Sequence, residues 1–353
     1  MKLLILTQTV DLRDPTLGFF IDWIKEFSKK AEKITVICLK KGEFELPENV
    51  TVLSLGKTTR KITGLSKLKY IFNFYKFILS NSKEYDTVFV HMNPEYVCLG
   101  GLIWKIFRKK IYLWYVHRAV NLKLRVAEKF VSKIFTASSS SFKLKSRKIE
   151  VVGHGILISF FSLKDDYNFT EPIKILTVSR ITPIKRLESV ILTCAILRDK
   201  FDISSVVKIV GDVVDGKDNK YKQKLLEIIT QNNLKEKITF SGSLNKEELY
   251  SEYFLADLFV NFSPEGGLDK VVMEAMASGL ITFVSNVGFS EYLDDLSNDL
   301  IVKTPDDLAE KINNLYHNFN YKDKENLGLD LRRISEEKFD LPVLIEKLKQ
   351  GMQ

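Results

Sequence analysis

Along the first half of the chain, short continuous apolar runs alternate with longer stretches whose apolar residues recur every three or four positions. The runs KLLILTQ (2–8), ITVICL (34–39), TVLSL (51–55), TVFVHM (87–92), KIYLWYVH (110–117), KIFTAS (133–138) and IEVVGHG (149–155) are rich in β-branched residues. Runs of that kind are strands covered on both faces. Residues 19–30, 66–81, 96–107 and 121–131 have the helical period. Strand and helix in alternation predict a parallel sheet with helices on both sides. The polar stretch SLKDDYNFTEP (162–172) then breaks the rhythm and reads as a linker.

A second series follows. Its strands are IKILTVS (173–179), VVKIVGD (206–212), ITFSG (238–242), LFVNFS (258–263) and ITFVSN (281–286), separated by helices near 186–199, 219–233, 245–256 and 270–278. Asn245 with Glu248, and Thr304 with Asp307, place a capping residue three before an acid. The tail LPVLIEKLKQGM reads as a final helix. The 353 residues suit two compact units at ~100–200 residues each. The expected division is a first α/β domain over 1–165, a second over 166–335, and a C-terminal helix, 336–353, placed to pack back on the first.

Composition adds an asymmetry. The net charge of +8 divides into 29 Lys/Arg against 14 Asp/Glu in residues 1–165, and 24 against 31 in the remainder. The first half is therefore suited to anionic partners. In and just after KTTRKITGLSKLKYIFNFYKF (57–77), Leu68, Ile71, Phe72, Tyr75 and Leu79 form one helical stripe among lysines. Three readings are open: the stripe packs on the sheet with the lysines solvated, it docks on an anionic membrane surface, or the patch meets nucleic acid. The last has the least support, and no nucleic-acid partner is expected. Apolar stretches stay short of the ~18 residues of a membrane span. The opening MKLLILTQTVDLRD is charged too soon for a signal peptide. Cys38, Cys98 and Cys194 sit in apolar segments and lack metal-ligand spacing, so buried free thiols and a cytoplasmic location are expected.

The chemistry concentrates in SPEGGLDKVVMEAMASG (263–279). Here Glu274 is the one charged residue inside a short helix that is apolar on every side, so burial and a partner with hydrogen-bond donors are expected. Asp269 is a candidate N-cap and Gly279 a candidate C-cap. The amides of Gly266, Gly267 and Leu268, at the helix N-terminus, suit a phosphate. Upstream, VSRITPIKR places Arg180 and Lys185 between the first strand and first helix of the second series. Two cations and a helix N-terminus make a diphosphate site, and Glu274, an acceptor with two oxygens, suits the hydroxyls of a ribose. In the first half His91, His117 and His154 all end or follow strands, where ligands of open parallel sheets bind, whereas His317 falls on a surface helix.

The ordered set VSRITPIKR, VGD, ITFSG, ADLFVNFSPEGG and LDKVVMEAMASG resembles the donor-binding domain of glycosyltransferase family 4, the retaining group 1 enzymes. YVHR (115–118) and VVGHGI (151–156) extend the resemblance, more loosely, into the first half. It implies the GT-B architecture, an α/β fold of two doubly wound Rossmann-like domains facing a central cleft. It further implies a nucleotide-diphosphate sugar as donor substrate in the second domain, an acceptor in the first, no cofactor and no metal. By position Arg180 and Lys185 resemble the diphosphate ligands, Glu274 the ribose ligand, Gly242 and Leu244 the base-site wall, and His117 the histidine near the reacting sugar. His117, Arg180, Lys185 and Glu274 are thus the expected catalytic groups. Two positions depart from the pattern: Gly266 stands where the family usually has Glu, with Glu265 one residue early, and Gly18 stands alone where a glycine pair is usual.

The expected function is retaining, metal-independent transfer of a hexosyl-type sugar to a lipid-linked or anionic glycan acceptor in cell-surface polysaccharide or glycolipid synthesis. The cytoplasmic face of an anionic membrane is the expected place of work. The alternatives are a nucleotide-sugar epimerase, which would turn over donor without acceptor, and a degenerate protein that binds nucleotide-sugar without transfer.

Overall fold

The computed structural model describes residues 1–14, 16–57, 64–214, 216–264 and 266–353, without the side chain of Lys217. Glu265, and Arg60 and Lys61 of the basic segment, lie outside the described residues. The chain forms two compact units, Met1–Gly155 with Leu341–Gln353, and Ile156–Asp340.

The first unit is built on a seven-stranded parallel sheet among the described residues. Its strands are β1 (Lys2–Val10), β2 (Lys33–Lys41), β3 (Val50–Ser54), β4 (Thr87–His91), β5 (Lys110–Trp114), β6 (Lys133–Thr136) and β7 (Ile149–Val151), in the order β3-β2-β1-β4-β5-β6-β7. Strand order reverses direction between β1 and β4. Leu3 to Leu6 and Val88 to Val90 are fully buried, as strands covered on both faces require. The covering helices are α1 (Phe20–Ser28), α2 (Gly64–Ser80), α3 (Pro94–Ile106) and α4 (Leu122–Phe130). Trp104 anchors one face, its indole N–H donating to Tyr85 Oη at 3.1 Å and the tyrosine donating in turn to Ile78 O at 2.8 Å. The last helix, Leu341–Met352, completes this unit: Tyr112 Oη donates to Met352 O at 2.7 Å and Lys30 pairs with Glu346 at 3.1 Å.

The second unit has five parallel strands among the described residues: β8 (Ile173–Val178), β9 (Ser205–Val210), β10 (Ile238–Gly242), β11 (Leu258–Asn261) and β12 (Ile281–Val284). Their order is β10-β9-β8-β11-β12, so the reversal falls between β8 and β11. The helices α5 (Leu187–Phe201), α6 (Asn219–Gln231), α7 (Lys246–Leu255) and α8 (Lys270–Ala277) connect them. Asn245 and Glu248 close the expected capping box at the start of α7, and Thr304 Oγ1 accepts from Asp307 N at the start of helix Pro305–Asn318. Residues 162–172, which read as a linker, belong to this unit: Lys164 N donates to Ser278 O at 2.8 Å and Tyr167 Oη to Gly279 O at 2.9 Å.

Four local readings change. The strand expected over 110–117 ends at Trp114, leaving His117 in a loop, and the one over 149–155 ends at Val151. Helix Tyr321–Lys338, which the polar sequence hides, packs on α8 through Gly328, where a Cβ would lie 2.6 Å from Gly279 O. Most of the α2 stripe faces outward: Leu68 and Phe72 are 65% and 69% exposed, while Tyr75 is half-buried, its Oη donating to Leu99 O at 3.1 Å, and Phe74 and Ile78, about a quarter-turn round the helix, are buried. Of the stripe, Tyr75 packs toward the core beside Phe74 and Ile78, and Leu68 and Phe72 do not.

Candidate functional site

The reversal between β8 and β11 brings together the segments after those two strands, where ligands of open α/β sheets bind. After β8 the chain makes a single 3-10 turn, Pro183–Lys185, and Arg186 takes left-handed backbone (φ +48°) to enter α5. That turn sends the Lys185 side chain toward the segment after β11. Lys185 Nζ lies 2.7 Å from Asp269 Oδ2 and 3.0 Å from Ser263 Oγ. The same carboxylate oxygen accepts from Ser263 Oγ at 2.6 Å and Asn261 Nδ2 at 3.2 Å. Asp269 occupies the N-cap position of α8 as expected, but its side chain makes no cap hydrogen bond. Its carboxylate is turned to the lysine instead, because an ammonium is a stronger partner than a backbone amide.

The loop before α8 presents Gly266 half-buried, Gly267 exposed and Leu268 buried. Asn286 Nδ2 holds Gly267 O at 3.2 Å. Within α8, Glu274 is half-buried and its Oε2 accepts from the hydroxyl of Tyr253, at 2.9 Å. The protein therefore supplies one of the donors that this carboxylate requires, from a tyrosine. Burial drives the Glu274 carboxyl up from its ordinary value, against the Tyr253 hydrogen bond and the fields of Lys270 and Lys246. Tyr253, fully buried in α7 against Phe259, is pushed well above the ordinary phenol by burial and by the Glu274 charge. Oε1 carries no hydrogen bond among the described residues. Gly279 ends α8 with φ +71°, and a Cβ there would lie 2.6 Å from Leu163.

Arg180, two residues past β8, is exposed, and its guanidinium has no ion-pair partner among the described residues. The neighbouring strand end comes very near this corner. Gly211 has φ +128°, and a Cβ on it would fall 2.0 Å from Ser179 O, so only glycine fits. Gly211 N donates to Gly242 O at 2.8 Å, which ties the end of β10 to the end of β9. Gly242 and Leu244, both half-buried, follow on the β10 side.

In the first unit the histidines divide. The His91 ring stacks on Phe20 with centroids 4.0 Å apart, its Nδ1 3.4 Å from Thr7 Oγ1. His154 meets Trp23 and Trp114 edge-on at 6.2 and 6.0 Å, and its Nδ1 accepts from Gly155 N at 2.8 Å. Both are buried in an aromatic box. His117 is the exposed one, and its Nδ1 accepts from Ala119 N at 2.9 Å. The neutral ring accordingly carries its proton on Nε2.

Sequence reasoning missed Tyr253, Ser263 and Asn261, and read Asp269 only as a cap. Cys38 and Cys194 are buried as expected, whereas Cys98 is partly exposed. Among the described residues no group of three or more His, Cys, Asp or Glu side chains is arranged to hold a metal ion, and no helix is long and apolar enough to cross a membrane.

Residues 160–328 match the family model described as glycosyl transferases group 1. No curated protein matches the chain. Among solved structures, Anabaena HepE in complex with UDP superposes with a TM-score of 0.76 at 18% identity, covering 99% of this chain and 99% of that one. Sucrose-phosphate synthase from Thermosynechococcus elongatus gives 0.73 at 15% identity, covering 99% and 97%. The lipopolysaccharide outer core galactosyltransferase WaaB gives 0.72 at 14%, covering 99% of each chain. Residues 160–328 thus match the group 1 glycosyl transferases, within a chain whose two α/β units have the GT-B fold.

Proposed function

We propose that this protein is a retaining, metal-independent glycosyltransferase that moves a sugar from a nucleotide-diphosphate sugar to an acceptor, resembling family 4. The observation that carries the reading is the cation held at the strand-order reversal: Lys185, fixed by Asp269 at the N-terminus of the helix that bears Glu274. Arg180, Lys185 and the amides of Gly266, Gly267 and Leu268 bind the diphosphate. Glu274 Oε1 accepts from the ribose while Oε2 stays with Tyr253, and Gly242 and Leu244 wall the base.

As the bond from C1 to the phosphate oxygen breaks, negative charge grows on the diphosphate, where oriented cations and amides lower the barrier. The acceptor oxygen bonds C1 on the face that the diphosphate leaves, and the acceptor proton passes to the departing phosphate oxygen. His117, with its proton on Nε2, offers a donor to the sugar. The acceptor is lipid-linked or an anionic glycan of the cell surface, met at the cytoplasmic face of an anionic membrane. Support for that place comes from α2, which carries three lysines, no acid and an outward apolar stripe.

A thermal-shift panel of nucleotide-sugars, with UDP-sugars first because HepE is solved with UDP, tests the donor. A ligand at 100 times its Kd adds ~2.7 kcal/mol of apparent stability. The reading fails if no nucleotide-sugar moves the transition. A donor consumed without acceptor would point to the epimerase instead.

A further inference from the structure

The first sheet also reverses its strand order, between β1 and β4, and a cavity lies there. It has a volume of about 420 Å³ and opens at the carboxyl ends of β1 to β4, under α2. That size falls within the ~300–1,000 Å³ of small-molecule sites. Its wall is apolar: Leu39, Leu55, Tyr70, Ile71, Phe74 and Leu99. The polar groups at its edge mostly satisfy one another. Gln8 Nε2 donates to Asn93 Oδ1 at 2.6 Å, Asn93 Nδ2 to His91 O at 2.9 Å, and Tyr96 Oη to Thr7 O at 3.3 Å. Lys123 is paired with Glu95 at 2.9 Å. Lys67 also lines the slot, exposed and without an ion-pair partner among the described residues.

A glycan would find few unused donors and acceptors in such a slot, and burying its hydroxyls without partners would be costly. An alkyl or prenyl chain ending in an anion matches what is present. We propose that this slot holds the apolar chain of the acceptor, an anionic lipid phosphate whose head group is met by Lys67. The proposal rests on the glycosyl-transfer reading above and names its acceptor class. The exposed Leu68 and Phe72, beside Ile71 on the same helix, would let the chain enter from a lipid surface.

Calorimetric titration of the full chain with dodecyl phosphate below its micelle concentration tests this. One molecule per chain is expected to bind, at least tenfold tighter than inorganic phosphate or the uncharged amphiphile dodecyl maltoside. Ile71→Asp and Lys67→Glu should each weaken binding at least tenfold. Leu102→Asp, at an exposed apolar position on α3 that does not line the slot, should not. Inorganic phosphate binding as tightly as dodecyl phosphate would overturn the proposal, as would unchanged binding by both slot variants. Each variant is also tested for its thermal shift with the nucleotide-sugar, which reports folding and donor binding separately. A donor shift without amphiphile binding refutes the slot and leaves glycosyl transfer standing. Amphiphile binding at the slot without any donor shift refutes transfer and leaves a lipid-phosphate site.

Discussion

Lys185 Nζ sits 2.7 Å from Asp269 Oδ2 across 84 residues of sequence, with both side chains largely covered. The pair makes the cation available at one fixed point and gives the carboxylate a defined cost when the lysine is removed. Lys185→Ala should lower kcat/KM by roughly 10²–10³, the scale of losing a preorganised transition-state donor, and it leaves Asp269 uncompensated beside the proposed diphosphate site. The double variant Lys185→Ala/Asp269→Ala should therefore be at least as active as Lys185→Ala alone. Additive losses in this double-mutant cycle would mean that the two residues act separately.

Arg180 differs, because it is exposed and unpaired among the described residues. Arg180→Ala should cost a similar 10²–10³ in kcat/KM, with no loss of stability. A fall in Tm matching the fall in rate would assign it a structural role.

Glu274→Gln keeps the shape of α8 but spoils one acceptor, so donor affinity should fall about ten- to a hundredfold at ~1–3 kcal/mol per spoiled buried hydrogen bond. Burial raises this carboxyl above 4.5 in the folded state. The folded protein then holds its proton longer than the unfolded chain does, so this group's contribution to stability is complete below the unfolded pKa and is lost as pH rises through the folded one. Relative to wild type, the Gln variant should gain stability over that window. Denaturant melts from pH 4 to 8 check the sign, and a difference that does not vary with pH would show an ordinary carboxylate.

Gly211→Ala tests the corner beside Arg180. Left-handed backbone alone costs ~1–3 kcal/mol, and the Cβ would fall 2.0 Å from Ser179 O, so the loss should exceed that range. A neutral result in denaturant melts would mean that β8 and β9 part easily there.

The outward stripe of α2 predicts sedimentation with vesicles that rises with anionic lipid and falls with salt, as the Debye length shrinks from ~10 Å at 0.1 M to ~3 Å at 1 M. Phe72→Glu should weaken it. Equal binding to neutral vesicles would exclude charge as the cause.

Much of the fold could be read directly, since strands buried on both faces must be continuous runs such as Leu3 to Leu6. Helix Tyr321–Lys338 was hidden because few of its residues are apolar, although Asn320 and Asp323 close a capping box at its start. Periodicity found a stripe on α2 but not its direction, because the buried Phe74 and Ile78 flank it only about a quarter-turn round the helix. In the candidate site Glu274 announced a need for a partner, yet Tyr253 lies 21 residues earlier in a separate helix. The Lys185–Asp269 contact depends on which strands neighbour one another, which local pattern does not record.

The path of the chain also sets an order of events during synthesis. The first unit lacks its last helix, Leu341–Met352, until after the whole second unit has been made. At ~5–20 residues per second, the interval is on the order of ten seconds or more. Through it, the surfaces of Phe135 and Tyr112 that meet Gly351 and Met352 stay uncovered on the ribosome. A premature stop near residue 340 would therefore damage the beginning of the molecule rather than its end.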